Sequence, residues 1–286
     1  MSNRLKLAVP NKGRLSERAL ELLSLAGFHV PRHARRLMAD VNDQWRLLFV
    51  RTDDIPEYVA NGTADMGITG WDIVGESGLD VERVLELGFG KCRLVVATRQ
   101  ADEIKAVNQL QSKRIATVFP NLTKKFFNEK GVDVDVVPLS GATEIAPSIG
   151  VADAIIDLVE TGSTLQQNGL EILETFLYSE AVLIANSTSI TEKRDALGEL
   201  EIAVKSVLDA KAKRYFMMNA PEGELDQIKA LLPGMTAPTV MPLMGREGWV
   251  AVHAVIHEDD VNGIIPELRK CKAEGLLILP IERMMP

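Results

Sequence analysis

Short apolar runs alternate with helical stretches through roughly the first 210 residues, and this pattern restricts the fold of the chain more than any other feature. Leu5–Val9 and Trp45–Val50 have the length and aliphatic content of buried strands. Leu15–Ala26 follows the first of them with helically spaced leucines and stops at Gly27. Arg93–Thr98 opens a second series of the same kind. Since strands that alternate with helices pair into mostly parallel sheets, the pattern predicts an α/β fold.

The last part of the chain has a different order of elements. A long helix is predicted over Thr191–Lys213, with leucines and valines at helical spacing. Beyond it we predict a strand, a helix, two strands, a helix and a strand, over Tyr215–Asn219, Glu222–Leu232, Thr239–Leu243, Val250–Ile256, Asp259–Cys271 and Leu276–Ile281. This β-α-β-β-α-β order is that of ferredoxin-like domains. The sequence therefore predicts a separate small domain over residues 213–286.

Composition and charge exclude several classes of partner. The net charge of −8 argues against nucleic acid, because proteins that bind it carry basic surfaces. The N-terminal apolar run is too short for a signal peptide, and no stretch approaches the ~18 apolar residues that span a bilayer. We therefore expect a cytoplasmic protein without a membrane partner. Cys92 and Cys271 lie far apart and the histidines form no HExxH helix, so no metal site built from protein ligands alone is expected.

The strongest local signal is an acidic strand end followed by a hydroxyl-rich turn. Asp157 lies near the end of the predicted strand Ala154–Val159, and after it come Glu160, Thr161, Gly162, Ser163, Thr164 and Leu165. Free N–H groups at a helix start bind phosphate, and a carboxylate at a strand end accepts hydrogen bonds from ribose hydroxyls. The combination favours a ribose-phosphate site over the alternative, in which the first threonine only caps a helix. The turn lacks the lysine of a P-loop, which excludes that class of nucleotide-binding site.

Two further turns place charged residues after strands. In the turn after the first strand, Lys12 and Arg14 flank Gly13, a pattern that suits a polyphosphate, although an ordinary solvated turn has the same composition. Farther on, a short strand leads through a glycine-containing turn to a helix start at Asp72, which is either a ligand or a helix cap. Arg51 ends the strand before that one and is predicted to face the same crevice.

Three of these segments, Asn11–Leu15, Ala64–Asp72 and Gly150–Leu165, resemble motifs of the ATP phosphoribosyltransferase family in the same order. Two later segments, Leu232–Thr239 and Gly248–His253, resemble the C-terminal regulatory domain found in the long form of that family. The resemblance covers essentially the whole chain, and it is most specific over the acidic strand end and the turn that follows it.

The resemblance implies a catalytic part shaped like a periplasmic binding protein, with two lobes around a cleft and a ferredoxin-like (βαββαβ) regulatory domain appended. The first lobe would comprise residues 1–95 and 182–212, and the second lobe residues 96–181. The implied reaction joins N1 of the adenine of ATP to C1 of phosphoribosyl pyrophosphate, forming N1-(5-phosphoribosyl)-ATP and pyrophosphate at the start of histidine biosynthesis. Mg²⁺ would arrive with the pyrophosphate group, because that ion is usually held through substrate phosphates and few carboxylates.

The resemblance also assigns roles to individual residues. It implies that phosphoribosyl pyrophosphate contacts Asp157, Glu160, Thr161, Gly162, Ser163, Thr164 and Leu165. It implies that ATP contacts Lys12, Gly13, Arg14, Arg51 and Asp72, with Arg51 and Asp72 taking part in catalysis. Histidine would act as an allosteric inhibitor, with Asn219, Thr236, Pro238 and Thr239 as the candidate effector positions. The family further implies a homo-oligomer in which dimers assemble to hexamers.

Two other functions are consistent with parts of the sequence. A two-lobed solute-binding protein without catalysis would share the fold, because fold does not fix function. The missing secretory signal and the phosphate turn with its acidic strand end argue against it. A pure amino-acid sensor would use only the ferredoxin-like domain and would leave the motifs of the first 165 residues without a purpose.

Overall fold

The computed structural model describes residues 4–30, 37–232 and 237–285. The strands of these residues are β1 (Leu5–Pro10), β2 (Met38–Asp40), β3 (Trp45–Val50), β4 (Met66–Gly70), β5 (Glu82–Glu86), β6 (Cys92–Arg99), β7 (Arg114–Thr117), β8 (Asp135–Pro138), β9 (Ala154–Val159), β10 (Leu170–Ser179), β11 (Ala181–Ala185), β12 (Lys213–Pro221), β13 (Thr239–Pro242), β14 (Trp249–His257) and β15 (Glu274–Pro280). The α-helices are α1 (Gly13–Leu25), α2 (Ile55–Ala60), α3 (Trp71–Ser77), α4 (Pro120–Lys130), α5 (Ser163–Gln167), α6 (Ser187–Glu192), α7 (Arg194–Lys211), α8 (Leu225–Leu231) and α9 (Glu258–Lys270).

The first sheet has the strand order β2-β3-β1-β4-β11-β5. Strand β1 is parallel to β3 and β4, and β11 runs antiparallel to β4 and β5. Every residue of β4 and β11 is buried, as expected for central strands built from consecutive apolar residues. This sheet and the helices beside it form what we call the first lobe.

The second sheet has the strand order β10-β6-β9-β7-β8 and forms the second lobe. Its edge strand β10 was not predicted, because the mixed sequence of Leu170–Ser179 follows neither helical nor strand spacing. The register of β10 against β6 shifts twice, which explains the missing alternation. The strand predicted at Val132–Val137 begins instead at Asp135, since the N–H of Val132 closes the end of α4 by donating to the carbonyl of Phe127.

The crossing points between the lobes correct the predicted boundaries. Strand β6 belongs wholly to the second sheet, so the first crossing precedes Cys92 and does not follow residue 95. The return crossing falls at Glu180, between β10 and β11, so the first sheet resumes at Ala181. Because both crossings join the ends of strands in different sheets, the residues beside them are where the two lobes meet.

The long helix expected over Thr191–Lys213 is divided into α6 and α7. Lys193 leaves the helical conformation with φ −127° and ψ 27°. Its ammonium nitrogen lies 2.7 Å from Oδ1 of Asp65, a side chain that is only 6% exposed. The carboxylate of Asp65, directly before β4, therefore binds Lys193, the residue that separates α6 from α7.

The third sheet confirms the predicted ferredoxin-like order. Its strands lie in the order β13-β14-β12-β15, all antiparallel to their neighbours, with α8 and α9 in the connections. The buried side chains of these elements, among them Phe216, Val252 and Leu268, form one apolar cluster. The compact unit that contains this sheet comprises Leu25–Gly27 and Glu199–Pro286, so it begins within α7 and not at residue 213. Within the described ranges, no helix has the length and apolar character required to cross a membrane.

Candidate functional site

A cleft of about 530 Å³ lies where the two lobes meet. From the first lobe, its lining comes from the start of α1, the turn after β3, the end of β4, the start of α3, the segment after β5 and the start of β11. The second lobe adds the start of β6 and the residue that follows β9. The lining residues are Arg14, Leu15, Arg18, Thr52, Gly70, Asp72, Ile73, Gly88, Phe89, Gly90, Lys91, Cys92, Glu160 and Ala181. The cleft thus combines an apolar floor with cations from the first lobe and a carboxylate from the second.

The turn between β1 and α1 is held by two hydrogen bonds to its flanks. The N–H of Asn11 donates to the carbonyl of Val50 at 2.8 Å, and Oγ of Ser16 donates to the carbonyl of Pro10 at 2.6 Å. Gly13 has φ +81°, a left-handed conformation that side chains rarely adopt. The residues of the turn, from Asn11 to Arg14, are exposed to solvent.

Arg14 extends from this turn toward the second lobe. Its guanidinium Nη1 lies 3.9 Å from Oε2 of Glu160, with both side chains largely exposed. At that exposure the ion pair contributes little to stability. Its significance is positional, because it brings a cation of the first lobe to the acidic end of β9. Arg51, at the end of β3, is also exposed and precedes the cleft residue Thr52.

Asp72 is held by contacts from the second lobe. Oγ of Ser179, the last residue of β10, donates to Oδ1 of Asp72 at 2.6 Å and accepts the N–H of Asp72 at 2.9 Å. Burial raises the pKa of Asp72, while the bonds from Ser179 and from nearby backbone N–H groups act in the opposite direction. The N-cap of α3 is Gly70, so Asp72 lies inside the first turn and is not the cap. A Cβ on Gly70 would lie 2.4 Å from Oδ1 of Asp72, so any other residue there would displace this carboxylate.

The turn after β9 presents hydroxyl groups at the start of α5. Gly162 has φ +89° and caps the helix, and the side chains of Thr161, Ser163 and Thr164 are exposed. Oγ1 of the first lies 3.2 Å from Oγ of Ser163. Leu165, by contrast, is buried in the apolar cluster of the second lobe. The side chain of Leu165 therefore anchors the turn, and the prediction that Leu165 contacts phosphoribosyl pyrophosphate applies to its backbone atoms.

Asp157 points away from the strand into a polar contact that the sequence did not reveal. Oγ1 of Thr143 donates to Oδ2 of Asp157, and the N–H of Leu158 donates to Oδ1 at 2.7 Å. Burial raises the pKa of Asp157, and the charge of Glu144 adds to the increase, while the two hydrogen bonds oppose it. The carboxylate still has free lone pairs for further donors, such as sugar hydroxyls.

The segment that carries Thr143 was missed by sequence reasoning. It follows β8 as Ser140-Gly141-Ala142, and Ala142 takes a left-handed conformation with φ 50° and ψ 40°. Such a conformation costs alanine roughly 1–2 kcal/mol, and strained backbone of this kind is concentrated at functional sites. The sequence did contain a signal for this segment. A glycine, hydroxyl residues and an acid follow a predicted strand, which is the pattern that identified the other turns of the site.

A second missed segment is Gly88–Cys92, between β5 and β6. Gly88 and Gly90 have φ values of +70° and +67°, and the segment lines the cleft with Lys91 among its residues. Arg18, one turn along α1, faces the same cleft. Burial and the charge of Asp72 raise the pKa of Cys92 to about 11, so its thiol is neutral at pH 7. The signal for Lys91 was again a cation beside glycines.

The candidate effector residues lie in the unit that contains the third sheet, and Thr236 lies outside the described residues. Asn219 is in β12 opposite Ala251, and Thr239 is in β13 opposite His253. Both belong to the sheet face away from the buried cluster, two strands apart, or roughly 10 Å. Pro238 is half-buried before β13. The structure therefore places Asn219 and Thr239 on one face but does not bring their side chains together.

Within residues 4–30, 37–232 and 237–285, no group of three or more His, Cys, Asp or Glu side chains has the arrangement of a metal site. Oxygen donors are present on the second lobe in the carboxylates of Glu160, which lines the cleft, and of Asp157, which lies in β9. Oxygen donors suit Mg²⁺, but two carboxylates are too few to hold it without further ligands from a bound phosphate.

Comparison with known families finds a match over most of the chain. A family model described as HisG, ATP phosphoribosyltransferase, matches residues 51–206. A second model, described as HisG, C-terminal domain, matches residues 210–283. The first match covers the two-lobed part from residue 51 onward and ends within α7, and the second covers the third sheet and its helices.

Curated relatives and a solved structure agree with the family models. An ATP phosphoribosyltransferase of Methanocella arvoryzae is 44% identical over 282 residues, covering 98% of this chain and 99% of the relative. One of Gemmatimonas aurantiaca is 45% identical over 292 aligned positions, covering 99% and 100%. The solved ATP phosphoribosyl transferase (HisG:HisZ) complex from Thermotoga maritima contains a chain that is 32% identical, with a TM-score of 0.62, covering 70% of this chain and 98% of that one.

Proposed function

The chain belongs to the ATP phosphoribosyltransferase family, in its long form with a C-terminal domain, and from this we propose how its cleft holds the two substrates. The protein is a pentosyltransferase that joins ATP to phosphoribosyl pyrophosphate in the first step of histidine biosynthesis. A solute-binding function without catalysis is not favoured.

We assign phosphoribosyl pyrophosphate to the end of β9 and the turn that follows it. One observation carries this assignment. The strand β9 contains the carboxylate of Asp157, and the turn that follows it leads to an exposed helix start rich in hydroxyl groups. The helix start offers backbone N–H groups to the 5′-phosphate, and Thr161, Ser163 and Thr164 add hydroxyl donors. The carboxylate accepts hydrogen bonds from the ribose hydroxyls, while Glu160 and Gly162 complete the wall of the site.

ATP is assigned to the side of the cleft formed by the first lobe. Lys12, Gly13 and Arg14 at the start of α1 face the triphosphate, with Arg51 and Asp72 beside the adenine and its reacting nitrogen. The apolar floor from Leu15 and Phe89 suits the flat face of a purine base. To the residues expected from sequence we add Arg18 and Lys91, since both line the same cleft and both carry a positive charge.

The reaction needs placement and charge stabilisation more than a nucleophile from the protein. The adenine N1 forms a bond to C1 of the sugar as the C1–O bond to pyrophosphate breaks, and pyrophosphate leaves with the electron pair. The sugar becomes cation-like during this exchange, so the nearby carboxylates of Asp157 and Asp72 stabilise it electrostatically. Cations around the phosphates offset the charge that develops on the leaving group, and the cleft aligns the two reacting atoms.

Mg²⁺ is proposed as the metal that accompanies the pyrophosphate group. The donor set fits this ion, because Asp157 and Glu160 supply hard oxygen atoms and the substrate phosphates would supply the rest. When bound, the ion neutralises phosphate charge. Glu160 also contacts Arg14, so this carboxylate links the metal-bearing end of the site to the cations of the first lobe.

The phosphate assignment predicts the effect of Thr164→Ala. This change removes an exposed hydroxyl donor at the start of α5 and leaves the buried Leu165 anchor in place. Because a hydrogen bond to a charged group contributes about 1.5–3 kcal/mol, affinity for phosphoribosyl pyrophosphate should fall roughly ten- to a hundredfold. Calorimetric titration measures the affinity, and Gln166→Ala, an exposed change on the same helix, serves as the control. Equal affinities for the two variants and the wild type would reduce the turn to a helix cap.

We further propose that histidine inhibits the enzyme through the C-terminal unit. Support comes from the ferredoxin-like order of that unit and from the family match to its C-terminal domain. Histidine need not touch the cleft; it must bind one global state of the protein better than another. Asn219, Thr236, Pro238 and Thr239 remain the proposed effector positions. We also propose a cytoplasmic homo-oligomer of dimers that assemble to hexamers, as the family resemblance implies.

Histidine inhibition is tested by titration of the intact enzyme. Histidine at millimolar concentration should bind with measurable heat and should lower the rate of product formation, while alanine at equal concentration should do neither. Thr239→Val should weaken inhibition about tenfold if its hydroxyl contacts the effector, which is the worth of one hydrogen bond. If histidine neither binds nor slows the reaction, the regulatory proposal is wrong, whatever the outcome for the substrate site.

A further inference from the structure

Helix α3 packs into both lobes at once. It follows β4 of the first sheet, and its Val74 belongs to the buried cluster of the first lobe. The preceding residue, Ile73, packs instead against the buried cluster of the second lobe. A short helix whose neighbouring side chains enter two different cores is fixed in position relative to both.

The first turn of α3 is bonded to the second lobe through Asp72 and Ser179. Their two hydrogen bonds, at 2.6 Å and 2.9 Å, are reciprocal, and both side chains are almost completely buried. These bonds hold Asp72 in the lining of the cleft. This contact joins the end of β10 to the start of α3.

The last turn of α3 is bonded to the second lobe through Glu76. Its Oε1 and Oε2 accept the N–H groups of Asn121 and Leu122, each at 2.9 Å. Its backbone carbonyl also accepts the side-chain amide of Asn121 at 2.9 Å. Helix α4 begins at Pro120, and its own N-cap, Phe119, supplies no side-chain bond. A glutamate of the first lobe therefore caps a helix of the second.

The two helices also lie close together beside this cap. A Cβ on Gly75 would lie 3.2 Å from Cδ2 of Leu122, closer than most packed atoms. A carboxylate at a helix start is stabilised by the free N–H groups and by the helix dipole. Helix α3 thus carries two separate contacts with the second lobe, this cap at its last turn and the contact of Asp72 with Ser179 at its first.

We propose that Glu76 is a positioning residue: by capping α4 it holds α3 so that the ATP side of the cleft is aligned with the phosphoribosyl side. The inference rests on the substrate assignment proposed above, because the two sides belong to different lobes. Glu76 itself does not line the cleft. Its loss should therefore affect the joint placement of the two substrates more than the binding of the one held by the second lobe alone.

The test compares Glu76→Ala, Glu76→Gln and a control, Glu129→Gln, in the full-length protein. Glu129 is an exposed residue of α4, the helix that Glu76 caps, and its change to glutamine also removes one negative charge. We expect Glu76→Ala to lower kcat/KM about ten- to a hundredfold, mainly through kcat, because small displacements of reacting groups have effects of that size. Affinity for phosphoribosyl pyrophosphate alone, measured by calorimetry, should stay within about twofold.

The glutamine variant should lie between alanine and the wild type. Its amide oxygen accepts one of the two N–H groups, while its amide nitrogen cannot accept the other. Melting temperatures show whether each variant is folded at the assay temperature. If Glu76→Ala keeps kcat within about twofold of the control and changes only the melting temperature, Glu76 is an ordinary helix cap and the proposal is wrong.

Two further outcomes separate this inference from the proposed substrate assignment. If Glu76→Ala loses affinity for phosphoribosyl pyrophosphate in proportion to kcat/KM, the second lobe itself is damaged and the positioning role is overturned. Asp72→Asn is assayed in parallel. If it has no effect while Glu76→Ala shows the predicted split between kcat and affinity, the role given to Asp72 fails and the alignment of the lobes by Glu76 stands.

Discussion

Asp157→Asn should lower kcat/KM by about a thousandfold, since it removes charged acceptors for two ribose hydroxyls at about 2 kcal/mol each. The geometry explains why the amide is a poor substitute. The N–H of Leu158 donates to Oδ1, so an asparagine must present its oxygen there and its NH₂ group toward Thr143. The NH₂ group is a donor, and it leaves the ribose hydroxyls with fewer acceptors than the carboxylate offers. Steady-state kinetics with phosphoribosyl pyrophosphate as the varied substrate measures the effect.

The matched control for this variant is Asp135→Asn, an exposed aspartate of β8 in the same sheet. It should retain wild-type kinetics. The raised pKa of Asp157 adds a dependence on pH: binding of phosphoribosyl pyrophosphate by the wild type should weaken as pH falls through a value above 3.8. The asparagine variant should lack this contribution. Unchanged kinetics in Asp157→Asn would remove the ribose assignment.

Asp65→Ala should destabilise the two-lobed unit by about 2–3 kcal/mol, because it leaves buried donors without an acceptor while Lys193, 35% exposed, can turn to solvent. The carboxylate accepts the N–H of Lys6 at 2.8 Å, Oγ of Ser189 at 2.8 Å and the ammonium of Lys193 at 2.7 Å. Alanine leaves all three donors without this acceptor, and it also frees the residue at which α6 and α7 separate. Urea unfolding followed by fluorescence reports the loss, because the buried Trp45 lies in the same sheet.

The same site predicts how stability depends on pH. Burial alone would raise the pKa of Asp65, but the hydrogen bonds from Lys193, Lys6 and Ser189 outweigh it, so the pKa lies below its usual value of 3.8. A depressed folded-state pKa stabilises the protein at pH above the unfolded value, and this contribution is lost as pH falls through the folded value. Asp65→Ala should therefore flatten the acid side of the stability profile. Asp80→Ala, at an exposed position of the same lobe, should change neither stability nor profile.

Much of the fold followed from local patterns in the sequence. Strands such as Leu5–Pro10 and Ala154–Val159 are short runs that are apolar at all but one position, and the βαββαβ order after α7 was visible from spacing alone. Strand β10 was missed because its side chains are mostly half-buried and its register shifts twice. The break at Lys193 was missed because it depends on Asp65, which lies far away in the chain.

The candidate site was predictable where one turn carries its own chemistry. Asp72 follows β4 and lines the cleft where the lobes meet. Asp157 lies within β9, and the hydroxyl side chains come directly after that strand, at the start of α5. Ser179 and Glu76 were not predictable, because each acts on a residue in the other lobe. Leu165 shows that membership of a motif does not imply contact with a ligand, because its side chain is buried in the core. Contacts between residues that are far apart in the sequence can be identified only in the folded structure.

The central claim is that the cleft containing Asp72 is the catalytic site, and a spectrophotometric assay of product formation from ATP and phosphoribosyl pyrophosphate tests it most directly. Asp72→Asn keeps an oxygen acceptor for Ser179 and removes a charge whose burial is unfavourable, so its melting temperature should stay near that of the wild type. The wild type should turn over both substrates, and Asp72→Asn should be slower by about a hundredfold or more. Full turnover by the variant, or a wild type that binds either substrate without converting it, would contradict the account.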